Sequence, residues 1–294
     1  MRRWARLPLL FLFAAASPGC ASSRIPGVSV ERFSAASLPE PADVLVLLPP
    51  SYASMPQKRY PVLYFLHDGY GDVRTLLRRG VAASLHERMA DGRLPEFLVV
   101  APGAEGSWFS DFADGSRRYE RFLAEDLPRE VAARYRVRDS APSRGITGIS
   151  MGGYGAFKLA LKHPGLYGAV SSLSGALIPF EPEDLARYNW FARWTLKRVF
   201  GRDPQKNSFA ENDVWRILGG LRFDRPPFAA HLRAGTSDFY GLDGVAAQFG
   251  SFLTDHGAPA TVVLEPGGHD WDYWRTALIS IARWHGERFE YDSN

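Results

Sequence analysis

Ser150 lies in the frame Gly148-Ile149-Ser150-Met151-Gly152, between an apolar run and a helix-like run, and few folds can hold that arrangement. At a sharp strand-to-helix turn the positions two before and two after a serine must be small. Larger side chains there would collide with each other and with the flanking backbone. Upstream, Ile146, Gly148 and the β-branched Thr147 and Ile149 suit a buried parallel strand, which reads as a short apolar run. Downstream, Tyr154, Phe157, Leu159, Ala160 and Leu161 suit a helix that stops at His163-Pro164-Gly165, because proline cannot continue it. The frame predicts a strand, a tight turn presenting a serine, and a helix.

A serine hydroxyl is a weak nucleophile at neutral pH and needs a histidine base with a carboxylate to orient it. In α/β-hydrolases, whose serine turn this frame resembles, the acid and then the histidine follow the serine, each on a loop at the carboxyl end of a strand. Beyond His163, at the stop of the predicted helix, His231, His256, His269 and His285 follow Ser150. His231 falls in a predicted strand, His256 precedes Gly257 as a helix-end residue, and His285 lies in a late helical segment; all three read as structural. His269 follows the strand-like Thr261–Leu264 in the loop Glu265-Pro266-Gly267-Gly268, where the glycines leave an imidazole room to reach over the sheet edge. The strand-like run 228–234 leads to Gly235-Thr236-Ser237-Asp238, so Asp238 is the expected acid and Asp243 its nearest rival. Asp238 also suits the N-cap of a helix over 240–252. Asp270 and Asp272 lie too near His269 in sequence to need a separate strand.

Acyl transfer also needs donors for a developing oxyanion. The amide after the nucleophile, that of Met151, supplies one. A second is expected from the loop His67-Asp68-Gly69-Tyr70-Gly71-Asp72 after the strand-like run 61–66, with the Tyr70 amide the chosen donor and His67 a structural hydrogen-bonding residue.

Glycine-flanked Ser150, His67-Asp68-Gly69, Gly235-Thr236-Ser237-Asp238 and Gly268-His269-Asp270-Trp271 together resemble the esterase family of α/β-hydrolases across roughly residues 40–287. Feruloyl and acetyl-xylan esterases, S-formylglutathione hydrolase, siderophore esterases and mycolyltransferases belong to it. The resemblance implies an acyl-serine mechanism with no metal or cofactor, and the Met151 and Tyr70 amides as oxyanion donors. One departure is the His-Asp-Gly start of the oxyanion loop, where His-Gly-Gly is commoner.

The chain has 294 residues, 46% of them hydrophobic, enough for one large core. Arg2, Arg3 and Arg6 precede an apolar stretch, Leu7 to Ala16, that has the length of a signal-peptide core and is too short for a permanent span. Removing residues 1–19 takes the formal charge from +3 to zero, so no nucleic-acid partner is implied. The only cysteine, Cys20, follows directly and resembles the acylated first residue of a bacterial lipoprotein, which implies an extracytoplasmic, membrane-anchored protein; ordinary secretion and an uncleaved anchor are the alternatives.

Residues 20–40 read as a linker and edge region, and 41–294 as one α/β-hydrolase esterase domain. Strands are expected near 43–48, 61–66, 97–101, 144–149, 168–173, 228–234 and 261–265, with helices between most of them. One such helix carries the stripe Tyr119, Phe122, Leu127, Val131 and Tyr135. This alternation predicts a mostly parallel sheet with helices on both faces. An aromatic-rich excursion over 176–227, with Phe180, Tyr188, Trp190, Phe191, Trp194 and Phe200, is expected to cover the site as a lid. Most of these aromatics should pack on the sheet and some should line an acyl pocket, together with Trp108 and Trp271. The expected activity is hydrolysis of a small-molecule or glycan ester. Acyl transfer to a sugar hydroxyl and a non-catalytic binding role are the alternatives.

Overall fold

The computed structural model describes residues 25–291 apart from 105, 182–184, 186–187 and 204–206. The expected signal segment 1–19 and Cys20 lie outside the described residues. The strands are β1 (Val28–Phe33), β2 (Ala42–Leu47), β3 (Val62–Leu66), β4 (Leu98–Pro102), β5 (Arg144–Ile149), β6 (Ala169–Leu173), β7 (Ala229–Gly235) and β8 (Ala260–Glu265). They form one sheet in the order β1-β2-β4-β3-β5-β6-β7-β8. β2 is antiparallel to both β1 and β4, and every other pair is parallel. The region read as linker and edge therefore contributes a true edge strand, β1.

The larger helices are α1 (Val81–Ala90), α2 (Leu127–Arg134), α3 (Met151–Lys162), α4 (Trp190–Phe200), α5 (Val214–Gly219), α6 (Leu242–Asp255) and α7 (Trp271–Gly286). Alternate residues of a strand point to opposite faces. Val62, Tyr64 and Leu66 of β3 accordingly enter one core while Leu63 and Phe65 enter the other. The first core is shared with α2, α3 and α6, the second with α1 and α7. Both faces are covered, which is why the central strands are apolar without alternation.

The stripe from Tyr119 to Tyr135 is not one regular helix. Residues Phe122–Asp126 form a π-helical turn, and Tyr135 lies just past the end of α2 in extended backbone. Phe122 and Leu127, both fully buried, are five residues apart, and only a wider turn puts that spacing on one face. Asp126, at the end of this turn, accepts from the amide and hydroxyl of Ser37.

The excursion after β6 carries α4 and α5. Asn189 caps α4 by accepting from the Ala192 amide at 2.9 Å, and Asp213 caps α5 through the Trp215 and Arg216 amides. Phe180, Tyr188 and Phe200 are buried as expected. Trp190 and Trp194 instead face outward, because Leu196, Val199 and Phe200 already occupy the inner side of the α4 surface.

Candidate active site

Ser150 joins β5 to α3 with φ 51° and ψ −113°. Such a conformation costs a non-glycine residue about 1–3 kcal/mol and persists only where surroundings enforce it. Here the Ser150 amide donates to Leu173 O at 2.9 Å, and its carbonyl accepts from Tyr154 and Ala176. A Cβ on Gly148 would stand 2.3 Å from the Gly152 carbonyl, and one on Gly152 would stand 2.1 Å from Leu66 O at the end of β3. Both glycines are required by close backbone approach.

The loops after β7 and β8 are bound to each other. Thr236 N–H donates to Glu265 O at 2.8 Å and Ser237 N–H to Gly267 O at 2.9 Å. This pairing brings the expected acid and histidine together. His269 Nδ1 lies 2.7 Å from Asp238 Oδ2, and His269 Nε2 lies 3.1 Å from Ser150 Oγ. Both side chains are nearly or fully shielded from solvent. The second Asp238 oxygen accepts from the Tyr240 amide at 3.0 Å, which fixes the carboxylate plane. With Asp238 facing Nδ1, the geometry suits an Nδ1–H tautomer whose Nε2 is free to accept the serine proton.

The rival residues have other partners. Asp243 sits in the first turn of α6, a helix that starts at Leu242 after Gly241 in the left-handed region. Asp238 therefore does not cap that helix, since the turn ending at Gly241 separates them. Asp270 caps α7 by accepting from the Asp272 and Tyr273 amides. His256 packs on Phe252 at the end of α6, and His285 bonds Ser171 Oγ at 2.9 Å. His231 packs edge-on against Trp284 at 5.0 Å. Burial, reinforced by Arg233 and Arg288, lowers the His231 pKa to about 4; burial also drives His285 well below the ordinary histidine value. His67 Nε2 accepts from the Ala104 amide, and its Nδ1 donates to Asp68 O.

Met151 opens α3, so its amide is among those the helix leaves unused. The Tyr70 amide is engaged: it donates to Asp68 Oδ1 at 3.0 Å, because an aspartate readily closes a turn onto the amide two residues on. Beside Ser150 opens a cavity of about 470 Å³ whose wall includes Trp108, Ile178, Tyr188, Phe191, Tyr240 and Trp271. Trp108 is locked there by Tyr154, Tyr188 and a 2.9 Å bond from Nε1 to Thr195 Oγ1. Trp271 packs on Trp274 and lies under the Arg79 guanidinium. Among the described residues, no group of three or more His, Cys, Asp or Glu could hold a metal ion.

Two supports escape a reading by sequence. The imidazole of His269 is boxed edge-on by Trp274 at 4.8 Å and Tyr240 at 5.0 Å. Trp274 is in turn fixed by a 3.1 Å bond from Nε1 to Ser174 Oγ, a residue itself at φ 46°. Beneath the pocket, the fully buried Lys158 donates to Phe109 O at 2.9 Å and pairs with Glu120 at 2.9 Å. Trp108 and Phe109 both hold φ 52°, so Lys158 ties down a strained stretch of pocket wall. Burial acts to raise the Glu120 pKa, but Lys158, His163 and Lys162 outweigh it and hold the carboxyl well below the usual range. The sequence hint was slight, a lysine in the apolar face of α3.

A family model described as putative esterase matches residues 35–285. The chain is 24% identical over 229 residues to a protein named acetyl esterase from Caldicellulosiruptor saccharolyticus, covering 72% of this chain and 83% of that one. It is 32% identical over 149 residues to an esterase of Mycobacterium tuberculosis, covering 49% of this chain and 31% of that longer protein. A solved ferulic acid esterase matches with TM-score 0.74 at 25% identity, covering 89% of this chain and 98% of that one.

Proposed function

The chain belongs to the esterase family, and from that premise we propose that it cleaves a small carboxylic ester through an acyl intermediate on Ser150. The observation that carries the reading is the single imidazole bridging Ser150 Oγ and Asp238 Oδ2. Ser150 Oγ attacks the ester carbonyl while Nε2 of His269 takes its proton. The negative charge of Asp238 stabilises the imidazolium and holds its orientation. The oxyanion accepts from the Met151 amide, and from Tyr70 once that amide leaves Asp68. Collapse breaks the carbon–oxygen bond, and His269 returns the proton to the departing alcohol. Water then repeats the sequence on the acyl group and frees Ser150 as the carboxylic acid leaves.

For the substrate, the aromatic wall of Trp108, Tyr188, Phe191 and Trp271 favours an aryl or short acyl group on a small or glycan alcohol. The relatives named ferulic acid esterase and acetyl esterase support the same class. An extracytoplasmic address, with Cys20 as a lipid-anchor site, rests on the arginine-led apolar segment ahead of that cysteine. The test is a panel of feruloyl, acetyl-glycan and thioester substrates run with the wild type and Ser150→Ala, with a sugar acceptor in parallel. Hydrolysis of aryl or acetyl esters that vanishes in the variant is expected. Acyl-sugar as the main product would make the enzyme a transferase, and no labelling by a fluorophosphonate would make it a binding protein.

A further inference from the structure

Around the mouth of the pocket the chain leaves large apolar side chains in solvent: Tyr70 and Trp190 are each 75% exposed, Phe239 73% and Trp194 46%. Tyr70, Trp190 and Trp194 form a connected surface through Phe191. The Tyr70 ring stacks on Phe191 at 5.4 Å, and Phe191 contacts both Trp190 and Trp194. Asn189 ties the start of α4 to the Tyr240 hydroxyl at 2.9 Å, so this helix is fixed beside His269. Phe191, Ala192 and Thr195 of α4 line the cavity itself.

The outer face of α4 combines Trp190 and Trp194, one turn apart, with exposed Arg193, Lys197 and Arg198. From residue 187 to 202 the chain holds five cations and no acid. Tryptophan with arginine and lysine on one face of a helix fits the boundary layer of a bilayer: the indoles enter the headgroup region and the cations meet phosphate. Stacking on a neutral glycan would need the rings but not the charges. We infer that α4 docks the protein on an anionic lipid surface with the pocket mouth facing the membrane. Esters carried in or at that surface then enter the cavity beside α4. Docking itself is independent of the esterase reading, since Trp190, Arg193, Trp194, Lys197 and Arg198 neither line the cavity nor belong to the Ser150 machinery.

The test is partition of the full-length chain onto vesicles of phosphatidylcholine alone and of equal parts phosphatidylcholine and phosphatidylglycerol, with bromine-labelled lipid as a quencher of tryptophan fluorescence. Any contribution from the N-terminal segment is common to all variants. The wild type should prefer the anionic vesicles and be quenched. Arg193→Gln with Lys197→Gln should lower anionic-vesicle partition about thirtyfold, about fivefold per charge. Trp190→Phe with Trp194→Phe should remove most of the quenching, while hydrolysis of a soluble ester shows the variants folded. Ser150→Ala should bind as the wild type does, so loss of activity with retained docking overturns only the esterase reading. Equal partition and quenching in the wild type and both double variants would overturn docking. So would retention on an insoluble neutral polysaccharide that depends on the two tryptophans, with no preference for anionic vesicles.

Discussion

The ring of Trp274 stands edge-on to the imidazole of His269, with centroids 4.8 Å apart and planes at 82°. The bond from Trp274 Nε1 to Ser174 Oγ keeps that wall from rotating, so the imidazole is held from the side as well as along its line of hydrogen bonds. Trp274→Phe, which keeps a ring but loses the anchor, should lower kcat by about threefold to tenfold, since misplacement by a fraction of an ångström slows acyl transfer. Trp274→Ala should cost about a hundredfold, with KM changing less than kcat. Steady-state kinetics on an aryl ester checks the ranking.

The proposed role of Asp238 as orienting acid gives a sharper test. Asp238→Asn should favour the wrong imidazole tautomer and reduce kcat by about three to four orders of magnitude. Asp243→Asn, in the first turn of α6, should change it by less than about twofold. Kinetics of the two variants, with circular dichroism to verify folding, decides between the residues.

The Ser150 turn, the strand leading to Asp238 and the glycine loop of His269 could all be read along the chain, because each is a local pattern of strand followed by loop. Trp274 could not, because its partner Ser174 lies a hundred residues away on the loop after β6. The π turn at Phe122–Asp126 hid in an ordinary helical stripe, since a five-residue step looks like a missed apolar position. The outward turn of Trp190 and Trp194 was also invisible, because aromatic content does not say which face of a helix meets the sheet. Likewise, the bond between Tyr70 and Asp68 depends on loop conformation, which glycine spacing does not determine.

The buried ion pair under the pocket should be expensive to break. Glu120→Gln leaves the Lys158 ammonium buried beside neutral groups and should destabilise the fold by about 3–5 kcal/mol. The double variant Glu120→Gln/Lys158→Met should recover a large part of that loss, as removing both charges restores a compatible interior. Denaturant unfolding of the single and double variants measures the difference.

His231 sets a pH window. Its folded pKa, about 4, is below the ordinary unfolded value of about 6.5, so the unfolded chain binds the extra proton between those values. Its contribution is full above pH of about 6.5 and is lost as pH falls toward 4, about 3 kcal/mol in all. His285, also driven down by burial, adds in the same direction. His231→Phe should flatten the fall of Tm across this window, which thermal unfolding at stepped pH will show.

The acyl-serine claim is tested most directly by quenching the enzyme in acid during turnover of a slow aryl ester and mapping the acyl mass by tandem mass spectrometry. One acyl group on Ser150 is expected, appearing with a burst of released alcohol and missing in Ser150→Ala. An acyl group on another residue, or steady turnover by folded Ser150→Ala at close to the wild-type rate, would contradict it.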